Sequence, residues 1–199
     1  DNYDASTPGW GVDHFAKIQD GIDAVTGSTV HVAAGTYYEN IVLKDDLQLL
    51  GAGSATTIID GMQAGSVITA NNVVIPAQVS GFTVTNGSGN SMFGGTYGGG
   101  LSLVNSGVNL QNCNISSNTV GNDGAGMHMD NSSATVTNCT FYNNTAGEDA
   151  GGIDVIQGST LNMTDCALRY NSALNGNGGG IRNYEGCSMT VTNCVFESN

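Results

Sequence analysis

From position 98 to its end the chain repeats one pattern four times, and the repeat is too short to fold alone. Each copy opens on a Gly-rich turn, runs through two stretches of alternating apolar residues, and closes on Cys-x-[Ile/Phe/Leu]-x-x-Asn. The turns are Gly98-Gly99-Gly100, Gly124-Ala125-Gly126, Ala150-Gly151-Gly152 and Gly178-Gly179-Gly180. The closing residues are Cys113 and Asn118, Cys139 and Asn144, Cys166 and Asn171, and Cys194 and Asn199, so the steps between cysteines are 26, 27 and 28. Apolar residues recur with period two and no helical stripe is present. A unit of this length cannot bury its own apolar face, so successive copies must stack as parallel coils on a shared core. The expected fold class is all-β: a parallel β-helix forming a single domain over 1–199, with four stacked repeats over 98–199.

Stacking sets equivalent residues of neighbouring coils about 4.8 Å apart, and aligned columns become rows of touching side chains. Leu103, Met129, Val155 and Asn183 form one predicted inward column, and Leu110, Val136, Met163 and Val191 a second. The Asn118, Asn144, Asn171 and Asn199 column belongs at a turn, where amides bond one another and the turn backbone. Cys113, Cys139, Cys166 and Cys194 read as free, packed thiols, because in-register neighbours hold their Cβ atoms farther apart than the ~3.8 Å a disulfide prefers. A linear row of thiols does not make a tetrahedral metal site. Cys187 stands outside the column near a turn, and is the expected position for an intermolecular disulfide.

Before the repeats, Phe15, Ile18, Ile22 and Val25 fall on one helical face, which predicts a capping helix over 13–26 with Asp13 as N-cap and Gly27 as stop. Strands are expected at Thr29 to Val32, Ile41 to Leu43, Leu47 to Leu50 and Thr57 to Ile59, with turns at Ala34-Gly35-Thr36, Lys44-Asp45-Asp46 and Gly51-Ala52-Gly53. The stretch from Trp10 to Gly61, with His14-Phe15-x-x-Ile18-Gln19 and Val30-x-Val32-Ala33-x-Gly35-Thr36-Tyr37, resembles the N-terminal cap and first coils of pectate-lyase-like β-helix proteins. The later copies, with Phe141-x-x-Asn144 and Phe196-x-x-Asn199, resemble the repeats of polymorphic outer-membrane-protein-type adhesins. The resemblance implies a right-handed coil. It implies little about activity, since this fold carries lyases, hydrolases, phage spikes and adhesins alike.

Two clusters could carry chemistry. The residue following each Gly-rich turn and its first apolar position gives the outward column Ser102, His128, Asp154 and Arg182. An imidazole, a carboxylate and a guanidinium on adjacent rungs can transfer protons on a sugar, and His128, Asp154 and Arg182 are the alternative catalytic residues. Favoured over that is charge pairing on a solvated face. Asp123 and Asp149 align in a loop column with Glu148 and Asn122 beside them, which makes Asp123, Glu148 and Asp149 a candidate calcium site, although splayed, solvated loops account for them as well. The Asp and Arg motifs of pectate elimination and the Asn-Thr-Asp and Asp-Asp motifs of galacturonase-type hydrolysis are absent. Outward Thr pairs at Thr83/Thr85, Thr135/Thr137 and Thr190/Thr192 are interrupted by other residues and read as ordinary strand surface.

Four Lys and Arg against seventeen Asp and Glu give a formal charge of -13, which disfavours nucleic acid and anionic membrane surfaces as partners. No apolar run reaches the length of a membrane span. Abundant Gly, Asn, Ser and Thr with few Lys point to an extracellular or cell-surface location, and a first residue that is not Met fits a processed secreted protein or a trimmed chain. The last copy stops at its Asn with no closing element, so a further coil or another subunit is expected to cover it. A non-enzymatic surface, sheath or adhesin-type module, forming a homo-oligomer or filament and meeting a glycan, is the favoured reading. A carbohydrate-active lyase or hydrolase, or a glycan-binding module, is the alternative. No cofactor is expected beyond the calcium.

Overall fold

A computed structural model of the chain describes residues 11, 14–92, 94–184 and 186–199. Three long parallel sheets wrap a common core, and a fourth parallel sheet has three short strands. One has seven strands, from Thr29–Val32 to Ser188–Thr192; a second has seven, from Gly35–Tyr38 to Val195–Glu197; the third has six, from Ile41–Val42 to Ile181–Asn183. Strands pair with the equivalent strand of the next coil without slippage: Leu101 sits opposite Met127, Met127 opposite Ile153, and Ile153 opposite Ile181. The register counted from the repeats is the register observed.

Period-two alternation produces this arrangement because one face of every strand is buried. Leu103, Met129 and Val155 are fully buried in one continuous core, as are Leu110, Val136 and Met163. The final coil departs from expectation: Asn183 and Val191 are exposed, because no rung covers them among the described residues. Each corner is turned by a residue in the left-handed region. Asn112, Asn138, Asp165 and Asn193 precede the four cysteines with φ of 52°, 52°, 55° and 51°, a conformation that Asn and Asp tolerate better than other side chains. Their amides also stack, with Asn138 Nδ2 donating to Asn112 Oδ1 at 2.7 Å.

Polar ladders satisfy the buried corners. Asn118 Nδ2 donates to Asn144 Oδ1 at 3.0 Å, Asn144 Nδ2 to Asn171 Oδ1 at 2.9 Å, and Asn171 Nδ2 to Asn199 Oδ1 at 2.8 Å. A second ladder, absent from the sequence reading, runs through Ser106, Ser132 and Ser159, each hydroxyl accepting a backbone N–H from the preceding coil. The cysteines are free; Cys113, Cys139 and Cys166 are buried, while Cys194 and Cys187 are half-buried. Cys187 packs against the core beside the turn it closes with Tyr184.

The helix is shorter than expected, spanning Ile18–Ala24 with Lys17 as N-cap, and Asp13 lies outside the described residues. A distant residue supplies the missing cap: the Glu39 carboxylate accepts from the N–H groups of Ile18 and Gln19 at 2.8 and 3.0 Å. At the other end Lys44 Nζ donates to the carbonyls of Ile22 and Asp23. Gln19 Oε1 accepts the edge N–H of Val42 at 2.8 Å, which ties the helix to the first coil. The turn expected at Ala34-Gly35-Thr36 is instead the start of the strand Gly35–Tyr38, whose in-register partner Thr57–Asp60 fixes it as extended chain.

Candidate functional site

Ser102, His128, Asp154 and Arg182 do occupy successive rungs of one sheet, each in register with the next. Their neighbours along each strand, such as Leu101 and Leu103, or Met127 and Met129, face the core, so the four side chains point to the opposite face. That face is not solvated as expected. Ser102 is 1% exposed, and the side chains of His128 and Asp154 are 1% and 0% exposed.

The cover comes from an insertion. Between Thr85 and Gly98 the chain takes thirteen steps where the next copy, from Ser116 to Gly124, takes eight. The extra residues form an antiparallel hairpin, Asn90–Met92 with Gly95–Tyr97, outside the repeat pattern. Asn90 Nδ2 donates to Thr69 Oγ1 at 2.9 Å, one rung before Ser102, and the Tyr97 ring lies 5.1 Å from the His128 imidazole. Asn122 accepts the Thr96 N–H at 3.0 Å and anchors the hairpin to the next coil. Gly124, at φ +68°, closes over the column from the other side: a Cβ there would meet His128 Cβ at 2.9 Å and Asp154 Cβ at 3.0 Å. The residue at 124 must therefore be Gly on grounds of both conformation and space.

Charges beneath this cover are paired. His128 Nδ1 lies 2.9 Å from Asp154 Oδ2, and Arg182 Nε and Nη2 donate to Asp154 Oδ1 and Oδ2 at 2.7 and 2.9 Å. Arg182 reaches on to Asp149 through Nη1 and to Asp123 through Nη2 at 3.1 Å, crossing three coils with one side chain. Burial pushes the Asp154 carboxyl up, but hydrogen bonds from His128 and Arg182 and their charges outweigh it and hold it below the ordinary carboxylate value. Burial likewise opposes the Arg182 charge, and Asp154 leads the carboxylates that more than restore it. Tyr97 is raised by burial and then by the nearby Asp123.

An ionised Asp154 can only accept, so the proton between it and His128 resides on Nδ1; in the neutral imidazole the lone pair is then on Nε2. Nε2 is buried and has no hydrogen-bond partner. A buried acceptor left unsatisfied costs about 1–3 kcal/mol. The geometry supplies an oriented base with its free electron pair beneath Tyr97, and a rim of partly exposed charge, with Asp123, Arg182 and Asp149 at 13%, 19% and 23%.

The residues of the calcium expectation stand in the same geometry. Asp123 and Asp149 do approach each other, with Asp123 Oδ1 accepting the Asp149 N–H at 2.8 Å. The positive charge between them is the Arg182 guanidinium, and Glu148 is exposed. Among the described residues no group of three His, Cys, Asp or Glu side chains is arranged to hold a metal ion. Column counting missed the convergence because Arg182 works along the fibre axis rather than on its own rung. Tyr97 was missed because it lies outside the repeat, and the five-residue excess before Gly98 was the available signal.

No curated protein matches the chain in sequence. Among solved structures it is similar to a pectin methylesterase in complex with a hexasaccharide and to the pectin methylesterase PemA from Erwinia chrysanthemi. Each match has 14% identity and a TM-score of 0.60, covering 93% of this chain. The chain spans 63% of the length of those structures, and the likeness is one of fold. The family model for the right-handed beta helix region matches residues 51–196. With three in-register parallel sheets wound on one core, the chain belongs to the right-handed β-helix family.

Proposed function

We propose that the chain is a carbohydrate-active β-helix, acting on an extracellular polysaccharide at the His128, Asp154 and Arg182 column. The observation carrying this reading is the buried, unpartnered Nε2 of an imidazole whose other nitrogen is fixed by an ionised carboxylate. Asp154 orients the ring and stabilises the imidazolium that forms when Nε2 takes a proton, and Arg182 keeps Asp154 ionised. Asp123, Arg182 and Asp149 form a charged rim able to hydrogen-bond sugar hydroxyls. The fold likeness to pectin methylesterases, one of them bound to a hexasaccharide, supports a saccharide partner.

The test is to incubate the purified chain with esterified and de-esterified polyuronates and with acetylated glycans, following acid release, reducing ends and unsaturated products. Turnover that falls about 100-fold or more in His128→Gln, with folding retained, is expected. Failure of the wild type to bind or turn over any of these would sink the reading. It would favour the surface-module alternative, in which Arg182 serves as a staple that pairs with three carboxylates across coils.

A further inference from the structure

We propose that Ser102 is the nucleophile of an acyl-transfer relay, Ser102 to His128 to Asp154, which makes the substrate an ester borne by the glycan. This inference rests on the proposed function and adds to it a reaction and a substrate class. Three observations carry it. The three residues stand on consecutive in-register rungs of one sheet and face the same way, so about 4.8 Å separates each backbone from the next. His128 is bonded to Asp154 through Nδ1 on one side, and Ser102 flanks it on the other. Nε2, the nitrogen a neighbouring hydroxyl would use, is buried and has no partner. In this structure Ser102 is not hydrogen-bonded to Nε2; such contacts are often long in an unliganded enzyme and tighten with substrate.

The step balances without a further reactant except water. Ser102 Oγ attacks the ester carbonyl carbon as its proton passes to Nε2. The adduct collapses, the bond to the leaving alcohol oxygen breaks, and Nε2 returns the proton to that oxygen. Water then attacks the acyl-Ser102, its proton passing through Nε2 to the departing serine oxygen, and the free acid leaves. Asp154 is a positioning residue throughout. Tyr97, whose ring is tilted against the His128 imidazole at 5.1 Å, ends the hairpin that lies over this face, so removing the ring is expected to open the column.

Treating the full chain with a fluorophosphonate and mapping the adduct by mass spectrometry tests the relay. Phosphonylation at Ser102 is expected, faster in Tyr97→Ala, about 100-fold or more slower in His128→Ala and absent in Ser102→Ala. An unlabelled Ser102 in a folded Tyr97→Ala, judged by its circular dichroism and melting, overturns the relay. Ester release that persists in Ser102→Ala also overturns it while leaving the proposed function standing. Labelled Ser102 with no polysaccharide turned over does the reverse: the relay holds and the glycan is removed.

Discussion

At the residue scale, Arg182 shows how a solenoid places charge in its interior. Its two ends of influence are Asp154, fully buried, and the rim aspartates Asp123 and Asp149. Removing it strands a buried carboxylate, so Arg182→Ala is expected to cost about 3–5 kcal/mol in chemical denaturation, with little rescue by Lys, which lacks the planar fork. Asp154 carries a pH dependence whose direction follows from its shift. Its folded pKa is lowered, so the stabilisation is full above the unfolded value of about 3.9 and fades as pH falls towards the folded one. The gap in melting temperature between wild type and Asp154→Asn should therefore narrow on going from about pH 6 to about pH 3; a constant gap would assign the loss to packing alone. The cysteines make a separate case. Burial pushes the Cys166 thiol up and the hydrogen bond with Cys139 draws Cys113 down, but Cys113, Cys139 and Cys166 are all shut off from solvent. A disulfide reagent should modify Cys187 and Cys194 in the native chain and the other three only on unfolding. The identity of the column residues was legible from repeat spacing. Their burial was not, since the hairpin that brings Tyr97 against His128 lies outside the repeat.

Elements that break the repeat carry what the repeat cannot. A seven-residue helix is too short to persist in water on its own propensity. It is held by Glu39 at its N-terminus and Lys44 at its C-terminus, the signs that the helix dipole favours. Periodicity located the apolar stripe of Ile18 and Ile22, yet it overran the helix at both ends because the caps are long-range. Glu39→Gln should lower stability by about 1 kcal/mol, and Glu39→Ala by more, as measured by thermal melting with the ellipticity of the helix as a check. The hairpin at Asn90–Tyr97 was invisible to periodicity for a related reason: its partners, Thr69, Asn122 and His128, come from three different coils.

Across the whole molecule, stability is a sum over interfaces between like coils. Asn144 gives the clearest measure. Its side chain accepts from the backbone and side chain of Asn118 and donates to Ile115 O and Asn171. Asn144→Ala leaves several buried groups unpaired at once and is expected to cost about 3–5 kcal/mol, against well under half that for exposed Asn131, read from paired denaturation curves. Gly152 sets a stricter limit, because a Cβ there would stand 2.2 Å from Gly180 O, so Gly152→Ala forces adjacent coils apart.

The in-register ladder also governs how such a gene can change length. Unequal crossing-over between copies of one pattern adds or removes one coil, and the sheets accept it because each new strand meets the partner type it displaced. Between the codons for Ser102 and Arg182 that freedom ends. A coil gained or lost there puts His128, Asp154 and Arg182 out of reach of one another, so that buried charge column counts the copies that replication slippage would otherwise leave uncounted.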